Sequence, residues 1–149
     1  VQAMHTPGHT PAHMSWKIGH ALFAGDTLFA LGCGRPFERP AEVLWQSLLK
    51  LRELPPETKI YCGHEYTEAN CRFALSVEPG NRDLQQRATL VAAQRARGEM
   101  TCPSTIGDEL KTNPFMRCDS REIRKNLKLE TATDAEVFAE LRHQKNSFK

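Results

Sequence analysis

Long hydrophobic runs are missing from this sequence: only a few apolar residues ever follow one another, which excludes a transmembrane helix. No charged start leads through an apolar core to a small-residue cleavage site, so no signal peptide is read. Paired cysteine motifs are missing as well. The five cysteines, Cys33, Cys62, Cys71, Cys102 and Cys118, are odd in number and show no CxxC spacing. That leaves neither a disulfide framework nor a cysteine zinc site, and makes the cytoplasm the expected compartment. Charge of one sign is not in excess: 20 Lys+Arg against 18 Asp+Glu give a net charge of +2, spread evenly along the chain. Composition therefore offers no case for nucleic acid or a membrane surface as partner. An initial methionine is absent too, and Val1-Gln2-Ala3-Met4 reads as a strand with no turn or cap before it. The chain is expected to start inside a fold.

What is present is a repeated local address. Thr6-Pro7-Gly8-His9, Leu22-Phe23-Ala24-Gly25-Asp26 and Lys59-Ile60-Tyr61-Cys62-Gly63-His64 each put a glycine between an extended segment and a potential metal ligand. Glycine tolerates backbone angles that a side chain forbids, so it lets a strand turn sharply and present the next residue at the end of a sheet. Imidazoles suit zinc, iron or copper and a carboxylate can bridge two ions, so His9, Asp26 and His64 form a candidate metal set. Asp26 directly follows four residues of a strand and is expected to be half-buried, needing a cation or several N–H donors. A purely structural cap is the alternative role for it.

Residues from His13 to Ile18 alternate, then Gly19-His20 and Ala21 to Ala24 complete the signature of a hairpin with a glycine-first turn. Gly32-Cys33-Gly34-Arg35 lacks phosphate-loop spacing and reads as an ordinary flexible turn, but it hangs Arg35 and Phe37 near Asp26. Pro40 opens a helix from Ala41 to about Leu54, with Val43, Leu44, Leu48 and Leu51 on one face and Pro55-Pro56 as its stop. Beyond His64 strand signals cease. Helices are expected with Tyr66, Ala69, Phe73 and Val77 on one face, from Asn81 to about Arg97, and after the capping box Thr133-x-x-Glu136. The last helix sets Arg142 and Lys145 on one face near its C-terminus, where a solvated, dipole-compensating end is the plain reading. Pro11 prevents His9 and His13 from forming a helical metal pair, and His5, His20 and His143 read as surface or packing residues.

Four motifs together resemble the glyoxalase II enzymes, the hydroxyacylglutathione hydrolases of the metallo-β-lactamase superfamily. They are Thr6-Pro7-Gly8-His9-Thr10, Gly25-Asp26-Thr27-Leu28-Phe29 with Gly32-Cys33-Gly34-Arg35, Tyr61-Cys62-Gly63-His64-Glu65-Tyr66-Thr67, and Asn113-Pro114-Phe115-Met116-Arg117. The first two are widespread in the superfamily; the last two, with Arg142-x-x-Lys145-x-x-Phe148, are closer to glyoxalase II itself. The resemblance implies an α/β fold, the second half of an αββα sandwich followed by an α-helical domain, divided at residues 1–72 and 73–149. It implies His9 on one metal, Asp26 as a bridge and His64 on a second, the ions being zinc or else iron or manganese. Arg35, Phe37, Tyr66, Arg142 and Lys145 fall at glutathione-binding positions, with Phe37 where many relatives have tyrosine.

The implied reaction is hydrolysis of the thioester S-D-lactoylglutathione to D-lactate and glutathione by a binuclear metal hydroxide. One departure matters. The family's His-x-His-x-Asp-His motif does not occur between Val1 and Lys149. The chain thus resembles the C-terminal portion, with an incomplete metal site, and its missing partner is the N-terminal half of the same fold. A metal-poor fragment that binds glutathione conjugates without turnover is the alternative, and a persulfide dioxygenase with one iron is a third reading that the helical tail disfavours.

Overall fold

Alternation of side chains builds the first half. In the computed structural model, which describes residues 1–149, strands β1 (Gln2–His5), β2 (Met14–Ile18) and β3 (Ala21–Gly25) form an antiparallel meander. Helix α1 (Ala41–Arg52) then carries the chain to β6 (Lys59–Cys62), parallel to β3. The expected hairpin at Gly19-His20 is present. On one face of the sheet Ser15, Leu22, Ala24 and Ile60 are buried. On the other, Trp16 is paired with Phe23 and Phe23 with Tyr61 across three strands, and Trp16 and Phe23 are 47% and 44% exposed.

Two expectations need correction. The glycine-rich stretch is not a flexible turn: β4 (Leu28–Phe29) and β5 (Gly32–Cys33) pair as a small buried hairpin. Its Leu31, held at φ 60, donates its N–H to the buried Glu109 carboxylate at 2.7 Å. Nor does strand structure end at His64. Ser104–Thr105 forms β7, which pairs antiparallel with β6 and closes the sheet in the order β1-β2-β3-β6-β7. Two residues show no alternation, so the sequence pattern could not display this strand.

The remaining elements are helical: α2 (Thr67–Val77), α3 (Arg82–Ala96), α4 (Ile106–Thr112), a short 3-10 turn (Pro114–Met116), α5 (Arg121–Leu127) and α6 (Asp134–Ser147). Asn81 caps α3 through Leu84 N, and Thr133 and Glu136 cap α6 reciprocally at 3.2 and 3.0 Å, as their spacing predicts. Helix α1 ends two residues early, and its inner face is Leu44, Trp45, Leu48 and Leu51, with Val43 only partly covered. One core joins both halves: Trp45 of α1 meets Phe138 of α6 at 5.4 Å, and Phe115 meets both Phe73 and Phe138. No helix is long and apolar enough to cross a membrane.

Candidate functional site

The three glycine-preceded residues converge at the end of the sheet. Gly25 has φ 52, and a Cβ there would lie 2.7 Å from His13 Nε2, so the turn into Asp26 requires glycine for both angle and space. Gly63 has a different reason. Its φ is not positive; a Cβ there would stand 2.4 Å from Asp26 Oδ1, so it is close approach rather than backbone freedom that excludes a side chain.

Asp26 is half-buried, as expected. Its Oδ2 lies 3.5 Å from His9 Nε2 and its Oδ1 lies 3.4 Å from His64 Nε2. His9 Nδ1 donates to Arg35 O at 2.9 Å, which leaves Nε2 as the nitrogen turned to the carboxylate. An unprotonated imidazole nitrogen and a carboxylate oxygen at this spacing are two acceptors, and such a pair needs a proton or a cation between them. The donor chemistry therefore suits metal ions. It is partial, however: no three His, Cys, Asp or Glu side chains close on one point where an ion could sit, because each histidine meets a different oxygen.

All eight side chains singled out in the sequence, His9, Asp26, Arg35, Phe37, His64, Tyr66, Arg142 and Lys145, line one cavity of about 330 Å³. That is a usual size for a small-ligand site. The rings form its walls. Phe37 lies 5.2 Å from His9 with the Arg35 guanidinium 5.6 Å above it, and Tyr66 stacks on His64 at 4.9 Å.

Arg142 is not the solvated helix end that its position suggests. It is buried, donating to Cys33 O at 2.9 Å, Gly34 O at 3.2 Å and Asn146 Oδ1 at 2.8 Å, over the Phe115 ring. Only its Nε lacks a partner. Lys145 has more freedom; burial and then the neighbouring Arg142 charge push its ammonium below the usual lysine range.

Two residues have roles in this geometry that the sequence patterns did not show, although Asn113 stands in one of the four motifs and His13 was weighed only as a metal partner of His9. Asn113 reaches back from the helical half, its Nδ2 donating to Gly32 O at 3.0 Å and to Phe29 O at 3.4 Å, and so secures the β4–β5 hairpin. His13 lies under Asp26, its Nε2 accepting the Asp26 N–H at 3.3 Å. Burial holds the His13 imidazole below its ordinary range, outweighing the opposite pull of the Asp26 charge. The signal available for His13 was the number of hydroxyl residues near it in sequence, Thr6, Thr10 and Ser15, only some of which turn inward.

Residues 65–148 match the family described as hydroxyacylglutathione hydrolase C-terminus, and residues 1–64 match the metallo-beta-lactamase superfamily. Proteins named hydroxyacylglutathione hydrolase from Bartonella henselae and Chelativorans sp. are 54% and 52% identical over 151 and 150 residues, each alignment taking in 99% of this chain. The chain spans 59% of the length of both. Among solved structures, ETHE1 from Myxococcus xanthus is similar with a TM-score of 0.57 at 24% identity, over 97% of this chain and 45% of that one, which shows a shared fold.

Proposed function

The chain belongs to the hydroxyacylglutathione hydrolases, the glyoxalase II family of the metallo-β-lactamase superfamily, and on that premise we propose that the whole protein hydrolyses S-D-lactoylglutathione to D-lactate and glutathione. One observation carries this reading: a carboxylate with a histidine at each oxygen opens onto the same cavity as three cations and the rings of Phe29, Phe37 and Tyr66. His9 with Asp26, and Asp26 with His64, would hold two metal ions, zinc or else iron or manganese. When bound, such ions supply Lewis acidity and a nucleophile at neutral pH.

The chain's own residues bind and orient. Asp26 keeps both histidine positions in one frame. Glutathione carries two carboxylates; Lys145, with the buried Arg142 charge behind it, offers one cationic corner, and Arg35 offers another at the rim. Phe37 and Tyr66 wall the space between, so binding of the tripeptide positions the thioester carbonyl against the Asp26 end. In this reading residues 1–72 carry the metal-facing side chains, and residues 73–149 contribute Arg142 and Lys145.

Taken alone, the 149 residues favour a second reading. Two donors at each position fall short of the three or more protein ligands of typical zinc sites, and the Trp16, Phe23 and Tyr61 row leaves an apolar sheet face open. The chain alone would bind a glutathione conjugate without turning it over. An N-terminal half of the fold would cover that face and supply the absent ligands. Thioester hydrolysis and dialysis-resistant metal are the measurements, made on this chain alone and on the chain joined to an N-terminal part bearing the His-x-His-x-Asp-His motif. Both properties are expected only in the joined protein, where Asp26→Ala abolishes turnover. Substantial hydrolysis by the chain alone, or none by the joined protein, overturns the proposal.

A further inference from the structure

His13 is the one imidazole beside the site that does not open onto the cavity, yet both of its nitrogens are engaged. The backbone N–H of Asp26 points at Nε2 from 3.3 Å. A backbone amide can only donate, so Nε2 has to be the acceptor, and a neutral ring then carries its proton on Nδ1. The surroundings of Nδ1 agree. Thr27 Oγ1 lies 2.8 Å away and Thr6 Oγ1 3.0 Å away. Thr27 Oγ1 donates its own proton to Thr6 O at 3.2 Å, which frees its lone pairs for the Nδ1–H. Thr6 Oγ1 continues to Ser15 Oγ at 2.8 Å. Thr6, Ser15 and Thr27 are all fully buried, so no water competes for the tautomer.

The backbone makes room for this ring. Gly25, immediately before Asp26, is the residue whose Cβ would strike His13 Nε2. Gly63 N–H donates to Gly25 O at 2.8 Å, and the absent Cβ of Gly63 is what lets Asp26 Oδ1 approach His64. A single connected frame therefore runs from a buried hydroxyl cluster, through one imidazole, to the backbone of the residue that faces both cavity histidines.

We propose that His13 is the positioning residue for Asp26: fixed as the Nδ1–H tautomer by Thr27 and Thr6, its Nε2 takes the Asp26 N–H and sets the carboxylate between His9 and His64. The role given to Asp26 rests on the hydrolase reading above; the tautomer and the hydrogen bond do not. Because Nε2 is already occupied, His13 is not itself an ion ligand.

The first test uses the unsubstituted 149-residue chain. Imidazole ¹⁵N shifts in mildly alkaline buffer should show His13 protonated at Nδ1, and the Asp26 amide should exchange slowly with solvent. A proton on Nε2, or a freely exchanging Asp26 amide, overturns the proposal whatever the protein's reaction is.

The second test uses the joined protein and two substitutions that divide the ring's functions. His13→Gln can place an acceptor near the Nε2 position, whereas His13→Asn can reach only the threonine side. His13→Asn is expected to lower retained metal and kcat by about 10- to 100-fold, the usual cost of losing a partner that orients a ligand. KM should change far less, and His13→Gln should restore most of both losses. Equal behaviour of the two variants, with metal retained, would reduce His13 to packing while leaving the hydrolase reading intact. A parent protein with no thioesterase activity would remove the hydrolase reading and leave the tautomer result standing.

Discussion

The guanidinium of Arg142 and the carbonyl of Gly34 meet at 3.2 Å across the join between the last helix and the β4–β5 hairpin. One side chain thus belongs to the cavity wall and to the structure that shapes it.

Arg142→Ala should therefore damage stability and binding together. It strands the carbonyls of Cys33 and Gly34 in a buried place, at about 1–3 kcal/mol for an unmet buried group. Urea denaturation of the chain should show a loss of at least roughly that size. An unchanged midpoint with only KM raised would mean that the buried contacts carry no weight.

Lys145→Met should separate the two effects. Burial and the Arg142 charge lower the Lys145 pKa, so the folded state holds a proton less readily than the unfolded one. The resulting penalty is present below the folded value and vanishes as pH rises through the interval up to the ordinary lysine value. Removing the charge should leave the chain as stable or more stable at neutral pH. In the joined protein KM for the glutathione thioester should rise by about 10-fold or more, as loss of a charged hydrogen bond predicts. A stability loss without a KM change would return Lys145 to a structural role.

The junction between the halves should show acid sensitivity at Glu65. Burial would raise its pKa, but the Thr101 N–H at 2.7 Å and the Thr101 hydroxyl at 2.8 Å pull it net downward. A depressed folded value means stability that is present above the ordinary carboxylate range and lost as pH falls through the folded value. Thr101→Val should cost roughly 1 kcal/mol at neutral pH and less in strong acid, where only the contact of its hydroxyl with Thr67 Oγ1 is still lost. Parallel unfolding curves for parent and variant at both pH values would refute the coupling.

The open sheet face should bind hydrophobic dye. Replacing Trp16 and Phe23 by serine should reduce dye fluorescence of the chain alone without lowering its helical circular dichroism, since both residues face away from the buried core. The same pair of changes in the joined protein should destabilise it. Dye binding that is indifferent to the substitutions would locate the exposed apolar surface elsewhere.

That His9, Asp26 and His64 come together was legible because each carries a glycine at its shoulder. The reason given for that glycine was right at Gly25 and incomplete at Gly63, whose cause is the carboxylate of a different strand. Caps were readable for the same local reason, as Asn81 and Thr133 show, but the face expected for α2 needs correction at Tyr66, which stands before the helix and is exposed, turned to the cavity beside His64. Arg142 shows where locality fails. Spacing placed it beside Lys145, but nothing within a turn of it reveals partners that lie 109 and 108 positions earlier. The role of His13 was overlooked because its hydroxyl partners look like ordinary turn residues until the meander folds Thr6, Ser15 and Thr27 around it. Asn113 was noticed as part of a motif, and its grip on Gly32 appears only in three dimensions.

The long reach of Asn113 and Arg142 also orders events in time. The hairpin that carries Arg35 into the cavity is completed by groups 81 and 109 positions downstream, so its closure must await the most distant loops in the chain, and distant closures are slow. The β1–β3 meander, whose partners are neighbours in sequence, can form while those later segments are still unplaced. Pulse-labelled hydrogen exchange is expected to protect Leu22 before Gly34, making the mouth of the cavity the last part of the molecule to set.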